Sequence, residues 1–306
     1  MKAMILAAGL GARLRPLTDT RPKALVEING RTLLEITLTR LRSFGINEVI
    51  VNVHHFADMV VDCLRSHNNF DMRIEISRED DLLLDTGGGL KKAAWFFLED
   101  SHQGTALAVP KGEQNKGALA PEVHKTSSDR KDDPFLLHNV DVISTIDFRR
   151  MLQFHNEHRA LATLAVQSRE SSRLLLFNEN LLVGRAATSS PALEKDVVPS
   201  EARNPAIAAT QSRSDPTFAT LSSNSPLATR HSALPLAFSG IHIISPRLLP
   251  MLTEQGVFSI TDAYLRLAAQ GEKILAFRAD EYYWRDLGRP SDLSQAALDL
   301  QQRFFE

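Results

Sequence analysis

Strand-like and helix-like runs alternate from Lys2 to Ser77, and few folds accept that order. Lys2 to Ala8 is a short apolar run that ends in glycine, as a buried strand does. Thr32 to Phe44 sets Leu34, Leu38 and Leu41 at helical spacing, and Gly45 supplies a stop. Glu48 to His54 is β-branched and reads as a second strand. Ala57 to Ser66 then brings Val60, Val61 and Leu64 onto one helical face. Arg73 to Ser77 alternates as a third strand. The order βαβαβ predicts an α/β fold: a Rossmann-like, mixed and mainly parallel sheet with helices on both faces. Ligands of such sheets bind beyond the carboxyl ends of the strands.

Strands are expected again at Phe135 to Asn139, Ala162 to Val166, Arg173 to Phe177, Phe238 to Ile244 and Lys273 to Arg278. Helices are expected at Phe148 to His158, at Thr261 to Gln270 and from Pro290, which suits a first helical turn. Two segments break the pattern. Residues 101–133 are polar, residues 185–235 are rich in Ala, Ser, Thr and Pro, and both read as flexible insertions. The chain is therefore expected to form one domain over 1–295, with 296–306 ending the last helix.

At 306 residues and 43% hydrophobic, the chain can bury a large core without covalent staples. Lys+Arg 35 against Asp+Glu 37 leaves a net charge of -2, which gives no broad field for nucleic acid or an anionic membrane. The lone Cys63 allows no internal disulfide, and among Val60, Val61 and Leu64 it reads as packing. The opening apolar run is too short for a signal peptide and no stretch approaches a membrane span, so a cytoplasmic location is expected.

The densest chemical signal is Leu6 to Leu25, LAAGLGARLRPLTDTRPKAL. A strand delivers the chain into Gly9 and Gly11, where missing side chains let backbone N–H groups close on phosphate oxygens. Arg13, Arg15 and Lys23 add fixed cations. A dinucleotide fingerprint would need a third glycine at position 14, which is leucine, and no Gly-Lys-Ser/Thr follows as a Walker A loop requires. Gly11-Ala12-Arg13-Leu14, Pro16-Leu17-Thr18 and Pro22-Lys23 together resemble the signature of sugar-1-phosphate nucleotidylyltransferases.

That resemblance implies the nucleotide-diphospho-sugar transferase fold with a smaller sugar-binding lobe. It implies that Leu6, Ala7, Ala8, Gly9, Gly11, Ala12 and Arg13 hold a nucleoside triphosphate and that Lys23 stands beside the reacting phosphates. Asp85-Thr86-Gly87-Gly88-Gly89, ahead of a helix expected to begin near Leu90, resembles the family's second nucleotide-binding loop, giving Thr86, Gly87 and Gly88. Asp141 and Asp286, in Asn139-Val-Asp141 and Trp284-Arg-Asp286-Leu-Gly288, match the family's Mg²⁺-binding aspartates. Asn139 and Gly240 are carried over to the sugar phosphate. Thr-Gly-Gly-Gly is similar to N-acetylmuramate-1-phosphate uridylyltransferases, which favours UTP, with GTP and mannose or heptose 1-phosphate as the alternative.

Two positions depart from the pattern. Ala24 replaces a proline, and Val140 replaces a glycine where a branched side chain would crowd the site. A regulatory subunit that binds sugar nucleotides but turns over weakly therefore stays open. The ten histidines show no metal-binding frame.

Overall fold

Alternation along the strands sorts their side chains onto two faces of one sheet, and a helical layer covers each face. The computed structural model describes residues 1–98, 133–186 and 233–303. In β1 (Ala3–Leu6), Ala3 and Ile5 join one core cluster while Met4 joins the other. β4 (Glu48–Val53) divides the same way, with Val49, Val51 and Val53 on one side and Ile50 on the other.

The first cluster is completed by α1 (Leu33–Ser43), α2 (Ala57–Ser66), α5 (Phe148–His158) and α7 (Pro290–Arg303). The second is completed by α3 (Asp85–Lys92), α4 (Ala94–Leu98) and α6 (Ile260–Ala269). Caps fix the starts of several helices. The Thr32 side chain accepts a hydrogen bond from Glu35 N at 3.1 Å, Asp147 caps α5, and Ser259 caps α6.

The remaining strands of the main sheet are β5 (Arg73–Arg78), β6 (Phe135–Asn139), β8 (Ala162–Gln167), β9 (Leu174–Asn178), β10 (Leu181–Arg185), β11 (Leu234–Ile244) and β12 (Ile274–Arg278). Their order is β5-β4-β1-β6-β11-β8-β12-β10-β9. Pairing is parallel from β5 to β6 and turns antiparallel at β11, with β12 parallel to β8. The early half of β11 also pairs with β9, so the later strands curl back on themselves.

Two short pairings lie apart from the main sheet: β2 (Glu27–Ile28) with β3 (Arg31–Thr32), and β7 (Val142–Ser144) with β13 (Trp284–Asp286). These short pairings are not anticipated by periodicity, because strands of 2 or 3 residues are too short to show one; β10 is not anticipated either.

Two expectations need correcting. The Thr-Gly-Gly-Gly run does not precede a helix that begins near Leu90; α3 starts at Asp85 and contains all three glycines. The second insertion is narrower than 185–235, since Arg185 belongs to β10 and Leu234 and Pro235 to β11. Most of the first insertion (101–132), the rest of the second from 187 to 232, and residues 304–306 of the terminal segment lie outside the described residues. Among the described residues no helix is long and apolar enough to cross a membrane.

Candidate active site

The carboxyl ends of β1, β4, β5 and β6 converge on a cavity of about 540 Å³, lined by the Leu6 to Arg13 loop together with Asn52, Glu79, Asn139 and Asp141. The loop is anchored by buried polar side chains. Ala7 N donates to Asn52 Oδ1 at 2.7 Å, Asn52 Nδ2 donates to Glu79 Oε1 at 2.7 Å, and Leu84 N donates to Glu79 Oε2 at 2.9 Å. Glu79, 1% exposed, thus ties the first glycine loop to the entry of α3.

Gly11 adopts a left-handed φ of 64°, and a Cβ there would lie 2.8 Å from Thr18 Cγ2 and 3.2 Å from Lys23 Cβ. Lys23 thus packs close beneath Gly11, on a 3₁₀ turn that follows Pro22. Gly9 has open space where a side chain would be, so its backbone remains approachable.

Lys23 is buried, with 8% of its side chain exposed, and forms an ion pair with Asp141 Oδ2. Asp141 lies in the tight turn between β6 and β7, and Leu287 N donates to its backbone carbonyl at 2.8 Å. The β7–β13 ribbon sets Asp286 opposite Val142, so the two aspartates distant in sequence meet. Asp286 Oδ1 accepts from Gly288 N at 2.7 Å. Its carboxyl is pushed above the usual range, first by burial and then by the charge of Asp141, with Lys23, Gly288 N and Arg13 acting the other way. A Cβ on Gly288 would lie 2.5 Å from Asp286 Oδ1 and 2.6 Å from Arg13 Nη2. Only glycine lets the arginine and the carboxylate come this close.

Two partly desolvated carboxylates form a donor set that suits a hard cation. Mg²⁺ takes a small number of carboxylate oxygens and fills its other positions with water and substrate phosphate, and Asp141 with Asp286 fit that demand. No group of three or more His, Cys, Asp or Glu residues gathers among the described residues, so an all-protein cage is not formed there.

Thr86 also lines the cavity. Its hydroxyl accepts from Ile260 N at 3.0 Å. Gly87 and Gly88 instead lie in the contact between α3 and the segment before α6. A Cβ on Gly87 would fall on the Phe258 ring and 2.9 Å from Ile260 N; one on Gly88 would lie 2.5 Å from Gly256 O. Gly240, at φ 72°, packs against Asn139, where a Cβ would lie 2.7 Å from Nδ2. Val140 is 4% exposed in the first core cluster, and its backbone is not in the left-handed region. The glycine it replaces is not needed for that turn.

The profile of the family described as nucleotidyl transferase matches residues 2–174. The chain belongs to the nucleotidyl transferase family. Within it, 93 residues are 50% identical to the N-acetylmuramate alpha-1-phosphate uridylyltransferase of Caulobacter vibrioides, over 30% of this chain and 38% of that protein. A 176-residue stretch is 33% identical to the UTP–glucose-1-phosphate uridylyltransferase of Synechocystis, over 51% of this chain and 44% of that protein. The chain thus spans under half the length of these curated relatives. Among solved structures, HddC from Yersinia pseudotuberculosis complexed with GMP-PN superposes with a TM-score of 0.61 at 16% identity, over 98% of this chain and 99% of that one. At that identity the likeness establishes the fold, which is the nucleotide-diphospho-sugar transferase fold.

Asn52 and Glu79 escape motif reading. Asn52 leaves a trace, as the one polar residue amid the apolar run of β4.

Proposed function

We propose that this nucleotidyl transferase is a magnesium-dependent sugar-1-phosphate nucleotidylyltransferase. The observation that carries the reading is the meeting of Asp141, Asp286 and Lys23 at the edge of a cavity walled by a glycine loop. A phosphate oxygen of the sugar 1-phosphate attacks the α-phosphorus of the triphosphate. The bond from that phosphorus to the oxygen bridging to the β-phosphate breaks, and pyrophosphate leaves with the electron pair.

The Leu6 to Arg13 loop, with Thr86, binds and orients the nucleotide. Arg13, beside Gly288, receives the departing pyrophosphate. Lys23 stabilises charge that develops on the phosphoryl oxygens, and its burial makes that stabilisation larger than a solvated lysine could provide. Asp141 and Asp286 would hold Mg²⁺, which supplies Lewis-acid polarisation of phosphate oxygens. Asn139 and Gly240 face the sugar phosphate. Gly87 and Gly88 serve the nucleotide by seating α3 closely.

The preferred substrates are UTP and N-acetylmuramate 1-phosphate or a related hexose phosphate, drawn from the cytoplasm for cell-wall nucleotide sugars. The 50% identity to the Caulobacter uridylyltransferase supports this choice. The test is a matrix of UTP, GTP, CTP, ATP and dTTP against N-acetylmuramate, glucose, mannose and heptose 1-phosphates, read as pyrophosphate release with Mg²⁺. UTP with N-acetylmuramate 1-phosphate is expected to give the highest kcat/KM. Highest activity with GTP and mannose 1-phosphate would replace the substrate choice, and no release in any cell of the matrix would overturn the enzyme reading.

A further inference from the structure

Arg169 lies just beyond β8, half-buried, in a setting unlike that of a solvated arginine. Its guanidinium stands over the Trp284 ring, 3.7 Å from the centroid. Its Nη2 donates to Phe238 O at 2.7 Å, while its Nε is buried without a partner. Burial pulls its pKa down, and the charge of Asp286 acts in the opposite sense.

The surroundings point away from the nucleotide. β11 is bulged between Phe238 and His242 in its pairing with β8, a device common beside active sites. Arg169 caps the Phe238 carbonyl there, and Trp284 Nε1 donates to Ser239 O at 2.7 Å. Gly240 follows and presses on Asn139, which lines the nucleotide cavity. A chain of packed contacts therefore runs from Arg169 through Trp284 and Gly240 to Asn139 at the cavity, and Asp286 feels both Arg13 and Arg169.

The proposed reaction brings two polyanions to one pair of carboxylates. Lys23 is assigned to the reacting phosphoryl oxygens, and Arg13 belongs to the nucleotide side. The second anion needs its own cation. We propose that Arg169, held over the Trp284 ring, binds the phosphate of the sugar 1-phosphate and thereby sets that substrate's affinity. Stacking on an aromatic face orders the guanidinium in advance, so less freedom is lost on binding. A buried N–H without an acceptor is an unfavourable resting state, and a small shift toward an arriving phosphate oxygen gains a charge-assisted hydrogen bond. The inference rests on the proposed nucleotidylyl transfer.

The test uses the full chain and its Arg169→Gln and Arg169→Lys variants. Calorimetry measures binding of N-acetylmuramate 1-phosphate, glucose 1-phosphate and, separately, UTP with Mg²⁺; steady-state pyrophosphate release gives both KM values. Arg169→Gln is expected to weaken sugar 1-phosphate binding and raise its KM at least tenfold, with UTP values within twofold of wild type. Arg169→Lys should recover part of the loss. Unchanged sugar-phosphate affinity, or an equal loss for UTP, overturns the assignment while wild-type pyrophosphate release leaves the enzyme reading standing. Failure of the wild type to bind either sugar 1-phosphate overturns the assignment as well, and failure to release pyrophosphate with any substrate pair is what condemns the enzyme reading itself.

Discussion

Lys23 and Asp141, 118 positions apart, are joined as an ion pair at the boundary between the glycine loop and the β6–β7 turn. A buried lysine paired this way is held ready for a more negative charge than a carboxylate. Lys23→Met should lower kcat by a factor that corresponds to about 2–4 kcal/mol and change the KM for nucleotide modestly. Steady-state kinetics check the split. A large rise in KM alone would reassign the lysine to ground-state binding.

Asp286 is partly buried and faces Asp141, and burial first, then that neighbouring charge, push its carboxyl upward. Asp286→Asn removes that repulsion and the metal charge together. Activity should fall by orders of magnitude while the melting temperature in EDTA stays level or rises. Any Mg²⁺-dependent rise in melting temperature seen in wild type should disappear. Full turnover in this variant would remove Asp286 from the metal site.

Val140 fills space in the first core cluster and adopts angles open to any residue. Val140→Gly therefore deletes packing and adds backbone freedom, costing about 1–3 kcal/mol. Turnover should be equal or lower. A sharp gain in pyrophosphate release over an inactive wild type would favour the regulatory reading.

The glycines separate by role. Gly87→Ala should destabilise the fold strongly, because rigid ring and backbone atoms of Phe258 and Ile260 occupy the place of the new methyl. Gly9→Ala meets nothing within 4 Å and should leave stability unchanged while weakening nucleotide binding. Thermal melts with and without UTP distinguish the two. Equal stability of both variants would contradict the packing assigned to α3.

Three buried histidines make stability depend on pH. Burial lowers His138 and His155 to about 4 and His242 to about 3, with Arg40, Arg247 and His138 respectively pushing in the same direction. An unfolded histidine titrates near 6.5, at about the usual value. All three are thus neutral in the fold at neutral pH, and their stabilising contribution is present above about 6.5. As the pH falls toward 4 the unfolded chain binds up to three more protons than the folded one, so stability should drop by as much as about 4 kcal/mol per pH unit. Urea midpoints at pH 7, 6 and 5 read this slope. A midpoint unchanged over that range would show that the buried rings take up protons without penalty.

Much of the frame was legible because long amphipathic elements announce themselves: α2 and β6 begin and end where periodicity placed them. The first glycine loop was legible as well, since Gly9, Gly11, Arg13 and Lys23 crowd into one short stretch. The second was misplaced because glycines read as loop formers. Gly87 and Gly88 instead permit close approach between helix and neighbouring segment, a tertiary demand with no local signature. Arg169 and Glu79 were invisible for a related reason, since their partners Trp284 and Asn52 are brought to them only by the fold.

The β7–β13 ribbon also has a consequence in time. Asp141 emerges from the ribosome early, whereas its companion is the last residue of β13, 286 − 141 = 145 residues later. At ordinary elongation speeds of roughly 5–20 residues per second, about 7 to 30 s pass between them. A growing chain can shape its glycine loop throughout that interval and still lack half of the carboxylate pair. Translation that halts before β13 would thus leave a polypeptide with its glycine loop and only one of the two facing aspartates.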